Sequence, residues 1–271
     1  MSTAHRQPPR TALFLPAANA RAIEKARGLA VDMVVLDLED SVRDDDKNRA
    51  RAAAVAAAAT GFGHRLVAIR VNGEDHGCHE DDVAAVAVSA ADFIVVPKVE
   101  TVELAERVAG AGKPLLAMIE TPLGVLNAAA IARVDGVEGL VAGVNDLRAT
   151  LGIPDGDSRA GLTTALQMIV LAARAGGGWA LDGVFNALDD DDALAAECRE
   201  GRAMGFDGKT LIHPNQIAVA TRAFAPGERE IAHALALIEA ATGGAERFGG
   251  RMIETMHVEQ ARALLARAGR D

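Results

Sequence analysis

Tyrosine is absent from this chain, and aromatic residues make up only 3% of its 271 positions. A surface that stacks single-stranded nucleic acid needs an aromatic platform, so that class of function is excluded. Positive charge is also in deficit: 28 Lys and Arg stand against 38 Asp and Glu, a net charge of −10. Sequence-independent nucleic-acid binding depends on a basic surface and is disfavoured, and an anionic ligand would need a local basic patch. Two cysteines occur, Cys78 and Cys198, without CxxC spacing, so neither a disulfide framework nor a structural zinc site is expected. No apolar run reaches the roughly 18 residues of a membrane-spanning helix. The N-terminal MSTAHRQPPR is polar and Pro-rich, without the apolar stretch of a signal peptide, and reads as a short disordered arm. A reducing, cytoplasmic setting is expected.

What remains is aliphatic and Ala-rich, 50% hydrophobic, enough to bury a sizeable core. Eight β-rich runs can be read, each followed by a helical stretch: TALFLP, DMVVLDLED, RLVAIRVN, DFIVVPKVE, LLAMIET, GLVAGVNDL, WALDGVF and DGKTLIHP. The runs are continuous Val/Ile/Leu segments, as in a parallel sheet covered on both faces. Helices are expected over Asn19 to Ala30, Asp46 to Ala58 and Arg159 to Ala175. Eight βα units in about 215 residues is the count of a TIM (β/α)8 barrel. A doubly wound sheet is the rival, but no GxGxxG follows the first strand. Beyond the eighth run the sequence predicts helices over Gln216 to Phe224, Glu228 to Thr242 and His257 to Ala268, interrupted by Pro226-Gly227 and by GGAERFGG. The expected organisation is a barrel over 1–225 and a helical C-terminal extension or lid over 226–271, with Gly243, Gly244, Gly249 and Gly250 giving it freedom to move.

In a barrel the C-terminal strand ends collect at one face, so the polar residues there are the candidate site. They are Asp37, Glu39, Asp40, Arg70, Asn72, Lys98, Glu100, Glu120, Asp146 and His213. Glu120 and Asp146 each end an apolar run, and a right-handed crossover brings both carboxylates to one edge. Two hard oxygen donors suit Mg²⁺, though strand-end carboxylates also cap helices or pair with Arg. Arg70, inside an apolar strand, needs anions nearby. It can clamp a substrate carboxylate bidentately or pair with Glu39 or Asp40, and the two readings are compatible. Lys98 with Glu100 reads as a strand-end pair, and His213 before Pro214 as a hydrogen-bonded structural group.

The ordered segments RTALFLPAANARAIEKA, VVLDLEDSV with DDDKNRAR, IRVN, VVPKVE, IETPLG, GVNDLRATLG, GFDGKTLIHPNQI and GGRMIETMHVEQAR resemble the citrate lyase beta-subunit-like family of the HpcH/HpaI aldolase superfamily. The resemblance runs from Arg10 to about Ala266. It implies a Mg²⁺-dependent carbon–carbon lyase, with Mn²⁺ as a substitute, acting on a malyl-, citramalyl- or citryl-type thioester of coenzyme A. By resemblance Glu120 and Asp146 are the metal ligands, Glu120 also facing substrate, and Arg70 contacts the substrate carboxylate and alkoxide. Arg21, Lys25 and Lys47 match basic positions facing coenzyme A phosphates. Asp37, Glu39 and Asp40 match an acidic cluster that orients Arg70 and metal-bound water. Glu254, in RMIETMH, stands where relatives carry an Asp that approaches the thioester from a neighbouring subunit, and the resemblance implies a homotrimer or a multiple of it. Two alternatives remain open: an aldolase acting on free 4-hydroxy-2-oxo acids, and a citrate lyase beta subunit acting on a citryl-acyl carrier protein.

This chain departs from the pattern in places. Glu254 is one methylene longer than the Asp it replaces, and Met256 stands where a Pro is usual. His76 and Cys78 occupy positions where relatives carry a hydroxyl and an aromatic residue, and Ala17 stands where a Gly commonly follows the first-strand Pro. A Cβ there is expected to crowd the approach of substrate to backbone.

Overall fold

The computed structural model describes residues 7–154, 156, 158–241 and 244–269. In chain order the elements are β1 (Thr11–Pro16), α1 (Ala20–Ala26), β2 (Met33–Asp37), α2 (Lys47–Thr60), β3 (Leu66–Arg70), α3 (His79–Ala87), β4 (Phe93–Val96) and α4 (Val102–Ala109). They continue with β5 (Leu115–Ile119), α5 (Pro122–Ile131), β6 (Val137–Ala142), α6 (Val144–Thr150), α7 (Thr163–Gly176), β7 (Trp179–Asp182), α8 (Asp191–Met204), β8 (Gly208–Leu211) and α9 (Gln216–Phe224). Last come α10 (Glu228–Ala240), β9 (Glu246–Phe248), β10 (Arg251–Ile253) and α11 (Thr255–Arg267). Strands β1 to β8 pair in parallel, each with its sequence neighbour, and β8 closes on β1. This is the expected (β/α)8 barrel with helices beyond it.

Side-chain alternation along each strand divides the two hydrophobic layers. Ala12, Met33, Val35, Ala68, Val95, Leu116, Met118, Val141 and Leu181 form one core cluster. Phe93 and Trp179, each the first residue of its strand, belong to the same cluster with ring centroids 5.2 Å apart, tilted by 56°. With few aromatics, this pair supplies the bulk at the N-terminal end of the barrel. Short connections tie strands to helices: Thr101 caps α4 by accepting from the Leu104 amide, and Thr121 caps α5 by accepting from the Gly124 amide with Pro122 at its first turn.

Several boundaries differ from expectation. Residues 1–6 lie outside those described, but Arg10 is no part of a free arm: its backbone and guanidinium both bind Asp32. Helix α7 begins at Thr163 because Arg159–Leu162 forms a 3₁₀ turn capped by Ser158. The segment after α10 contains an antiparallel hairpin, β9 with β10, turning at Gly249 and Gly250 with φ of 57° and 81°. Those glycines supply the positive φ of a tight turn. Gly243 falls outside the described residues.

The chain comprises two compact units, Pro8–Ala223 and one built from Phe224 onward together with Gln7. The second has its own core of Ala234, Leu237, Ile253, Ala261 and Leu265. Glu254 lies there, exposed, its amide donating to His257 Nδ1 at the start of α11.

Candidate active site

The alternation that buries Val35, Ala68 and Met118 inside the barrel puts Asp37, Arg70 and Glu120, two positions on, toward the same side. Asp37 and Arg70 are direct register partners across β2 and β3. Asp37 receives Arg70 Nε at 2.7 Å and Nη2 at 2.8 Å, a bidentate fork. Ser41 Oγ donates to the same carboxylate at 2.5 Å, and the Glu39 amide at 2.9 Å. Burial opposes ionisation of Asp37, but the hydrogen bonds and charge of Arg70 outweigh it and hold the pKa below the usual aspartate value. Arg70 Nη1 meets Glu39 Oε2 at 2.8 Å and Asp40 Oδ2 at 3.7 Å, and the guanidinium lies 5.0 Å from the Phe14 ring centroid. Both sequence readings of Arg70 are thereby constrained. Its Nε/Nη2 fork is engaged by Asp37, and Nη1 is the edge turned to Glu39 and Asp40.

Arg70, Glu120 and Asp146 line one cavity of about 390 Å³, together with Phe14, Asp37, Met118, Gly143 and Thr210. Asp146 does not end a strand as expected. Strand β6 stops at Ala142, and Asp146 sits in the first turn of the short helix α6, half-buried. Glu120 is 2% exposed. Its carboxyl pKa is pushed well above the ordinary glutamate value, by burial first and then by the negative charges of Asp146 and Glu39. A buried carboxylate whose ionisation a second acid in the same cavity opposes is what a bound cation relieves. A cradle supports the arrangement, since a Cβ on Gly143 would lie 2.2 Å from Glu120 Oε2. Hard oxygen donors, a cavity and the cradle together fit Mg²⁺ at Glu120 and Asp146. Burial raises Glu39 to about 7, Arg70 and Lys98 pulling it down and Asp40 and Asp37 up.

The remaining candidates separate. Lys98 lies 3.7 Å from Glu39 Oε1, so its pairing is with Glu39 rather than with Glu100. Burial works against its charge, but Glu39, Asp146, Glu120 and Asp40 outweigh that and raise its pKa. Asn72, Glu39, Asp40, Lys47, His76 and Lys98 line a second cavity of about 600 Å³ on the same barrel face. Lys47, expected to face coenzyme A phosphates, lines the second cavity and is buried, donating to the carbonyls of Leu38 and Glu39 at 2.9 and 2.7 Å, which ties the β2 loop. Arg21 and Lys25 are exposed on α1 and line neither cavity. His213 accepts from the Asn215 amide at 3.3 Å, a structural contact. His76 accepts from the Cys78 amide, and Cys78 leads into α3. The Ala17 amide donates to the Asp37 carbonyl at negative φ, so its Cβ sits without strain.

Sequence reasoning misses three contributors: Ser41, Gly143 and the main chain of Lys98. Ser41 and Gly143 have a faint signal, in DLEDS and GVND, because Ser41 follows Asp40 and Gly143 stands three residues before Asp146. The Lys98 amide, which donates to Glu120 Oε1 at 2.9 Å, has none, because backbone geometry is invisible in residue type.

With this geometry in place, the chain can be set beside known proteins. A (3S)-malyl-CoA thioesterase of Cereibacter sphaeroides is 45% identical over 276 residues, covering 98% of this chain and 96% of that protein. A citrate lyase subunit beta-like protein of Deinococcus radiodurans is 35% identical and covers 95% of this chain and 96% of its own length. The crystal structure of CitE from Mycobacterium tuberculosis in complex with magnesium, acetoacetate and coenzyme A superposes with a TM-score of 0.83. It shares 33% identity and covers 98% of this chain and 99% of that one. Residues 10–214 match the family model described as HpcH/HpaI aldolase/citrate lyase. The chain is a member of the HpcH/HpaI aldolase/citrate lyase family.

Proposed function

We propose that this protein is a Mg²⁺-dependent carbon–carbon lyase that splits a malyl-, citramalyl- or citryl-type thioester of coenzyme A into a 2-oxo acid and an acyl-coenzyme A. The observation that carries this reading is the single cavity lined by Glu120, Asp146 and Arg70. Names among the relatives support the thioester: one is a malyl-CoA thioesterase, another a CitE crystallised with magnesium and coenzyme A. They favour coenzyme A over the acyl carrier protein and over free 4-hydroxy-2-oxo acids.

Glu120 and Asp146 would hold the ion, which when bound supplies Lewis-acid stabilisation of developing oxygen charge. Arg70 Nη1 orients the substrate carboxylate, and Asp37 acts by holding the planar guanidinium in one orientation. Cleavage needs the substrate hydroxyl to lose its proton. The carbon–carbon bond then breaks, its electron pair passing to the thioester as an enolate while the hydroxyl carbon becomes the oxo group. Glu39, poised at about 7, is suited to taking that proton, and Glu254 of a neighbouring copy to protonating the enolate carbon. On this reading the barrel over 1–225 carries the metal site and 226–271 carries the proton donor, in a homotrimer. Arg21 and Lys25, exposed, remain available to coenzyme A phosphates. Two free cysteines suit a reducing cytoplasm.

A second reading comes from the name of the 45%-identical relative: hydrolysis of the thioester itself. The test is incubation of purified protein and Mg²⁺ with malyl-, citramalyl- and citryl-coenzyme A. The lyase reading predicts a 2-oxo acid from at least one. No 2-oxo acid from any, with thioester binding retained, contradicts it.

A further inference from the structure

Among the described residues, Lys98 is alone outside glycine in having a positive φ, 51°. L-residues avoid this region because Cβ crowds the carbonyl oxygen, and such a residue persists where its surroundings over-determine it. The surroundings are visible. Strand β4 ends at Val96, Pro97 fixes its own φ, and Val99, one residue out of the β4–β5 register, takes the Met118 carbonyl with its amide at 3.1 Å. The whole reversal is confined to Lys98.

The result of that kink is a hydrogen bond. The Lys98 amide donates to Glu120 Oε1 at 2.9 Å, while the space beside Oε2 is kept open by the missing Cβ of Gly143. The side chain reaches the other half of the site, its ammonium 3.7 Å from Glu39 Oε1, and Glu39 Oε2 is 2.8 Å from Arg70. With the Lys98 amide held on Glu120, an extended or helical residue at 98 would carry the chain away from the Met118 carbonyl that the Val99 amide meets, so keeping both bonds requires the positive φ.

We infer that Lys98 is a positioning residue for the metal centre: its left-handed backbone fixes Glu120 Oε1 and leaves Oε2 to ligate the ion. This rests on the reading of Glu120 as a metal ligand. The backbone is the active part, and the ammonium adds electrostatic support to Glu39 and the acids around it. Glycine at 98 therefore keeps the function, because it adopts positive φ freely, whereas a β-branched residue loses it.

The test is direct Mn²⁺ binding to the full chain, followed by loss of the free-ion electron paramagnetic resonance signal, with a thermal melt for each variant. Wild type binds, Lys98→Gly binds within about threefold of it, and Lys98→Val binds at least about tenfold more weakly. Lys98→Ala, milder should valine impair folding, falls between them. A purely structural role would lower the melting temperature of the valine and alanine variants and leave Mn²⁺ affinity unchanged, and that result overturns the inference. So does a glycine variant as weak as the valine variant, which would make the ammonium the active part. Failure of wild type to bind Mn²⁺ overturns the metal-site reading itself, and the Lys98 role with it.

Discussion

At the scale of single residues, the site depends as much on what is missing from a side chain as on what is present. Gly143 is conspicuous: a methyl group there would overlap Glu120, 2.2 Å from Oε2 and 2.3 Å from Cβ. Neither atom can retreat far, because Glu120 is buried and held by the Lys98 amide. Gly143→Ala should therefore displace the Glu120 carboxylate and weaken Mg²⁺ binding by at least about tenfold, since misplacement of about 1 Å is costly at such a site. Isothermal titration with Mg²⁺ checks this, and an unchanged affinity would show that Glu120 need not occupy its present position. Residue type made the acids and Arg70 legible in the sequence, because a charged group inside an apolar strand demands a reason. It leaves Gly143 and the main-chain role of Lys98 unread, because their contributions are a vacancy and a dihedral angle. Lys47 shows a related limit: its residue type suits a phosphate, and only the fold shows that its buried ammonium binds two carbonyls.

At the scale of elements, strand alternation does most of the positioning. Asp37, Arg70 and Glu120 share a side because each lies two residues beyond an inward-facing core residue. That period was readable. The end of β6 was not: GLVAGVNDL is apolar throughout, yet the helix begins at Val144, which moves Asp146 from strand to helix. Nor was the buried ionic network between β7, β8 and α8 foreseen. There Lys209, fully buried, lies 3.2 Å from Asp182 and 2.7 Å from Glu197, and Arg159 lies 3.0 Å from Asp182. Its members are far apart in sequence, and only the closed barrel brings them together. The start of β1 is fixed by another pair, in which Arg10 Nε and Nη2 donate to Asp32 at 2.9 and 2.8 Å. Burial opposes ionisation of Asp32, but Arg10 and the backbone amides of Arg10 and Thr11's neighbourhood leave its pKa below the ordinary value. A depressed carboxylate contributes stability above its unfolded pKa of about 3.9 and loses it as pH falls through the folded value. Asp32→Asn should therefore cost about 1 kcal/mol at pH 7 in urea unfolding, a gap that narrows below pH 4. A gap that widens as pH falls would contradict the pairing.

At the scale of the whole molecule, the eight-unit count was legible because each unit repeats the same apolar-run and helix rhythm. The C-terminal unit was read as helices with a loose glycine segment, whereas Gly249 and Gly250 make a hairpin turn. Its glycines looked like freedom because a turn and a flexible linker share the same composition. Glu254 belongs to this unit and not to the barrel unit that holds Glu120, Asp146 and Arg70. Binding of metal and protonation of the enolate are then separable. Glu254→Gln should leave Mg²⁺ affinity unchanged and lower turnover by about a hundredfold, and Glu254→Asp should retain activity. Steady-state kinetics beside Mg²⁺ titration checks both, and full turnover in the glutamine variant would remove Glu254 from the reaction.

The proposed chemistry turns on which bond is broken, and whether breaking it needs the ion. The most direct measurement is product analysis of malyl-coenzyme A treated with chelator-stripped protein, before and after Mg²⁺ is restored, with free thiol followed in parallel. Carbon–carbon cleavage at the Glu120–Asp146 centre predicts no product without the ion, then a 2-oxo acid and acetyl-coenzyme A in equal amounts without free thiol. Malate and free coenzyme A released with no need of Mg²⁺ would contradict it.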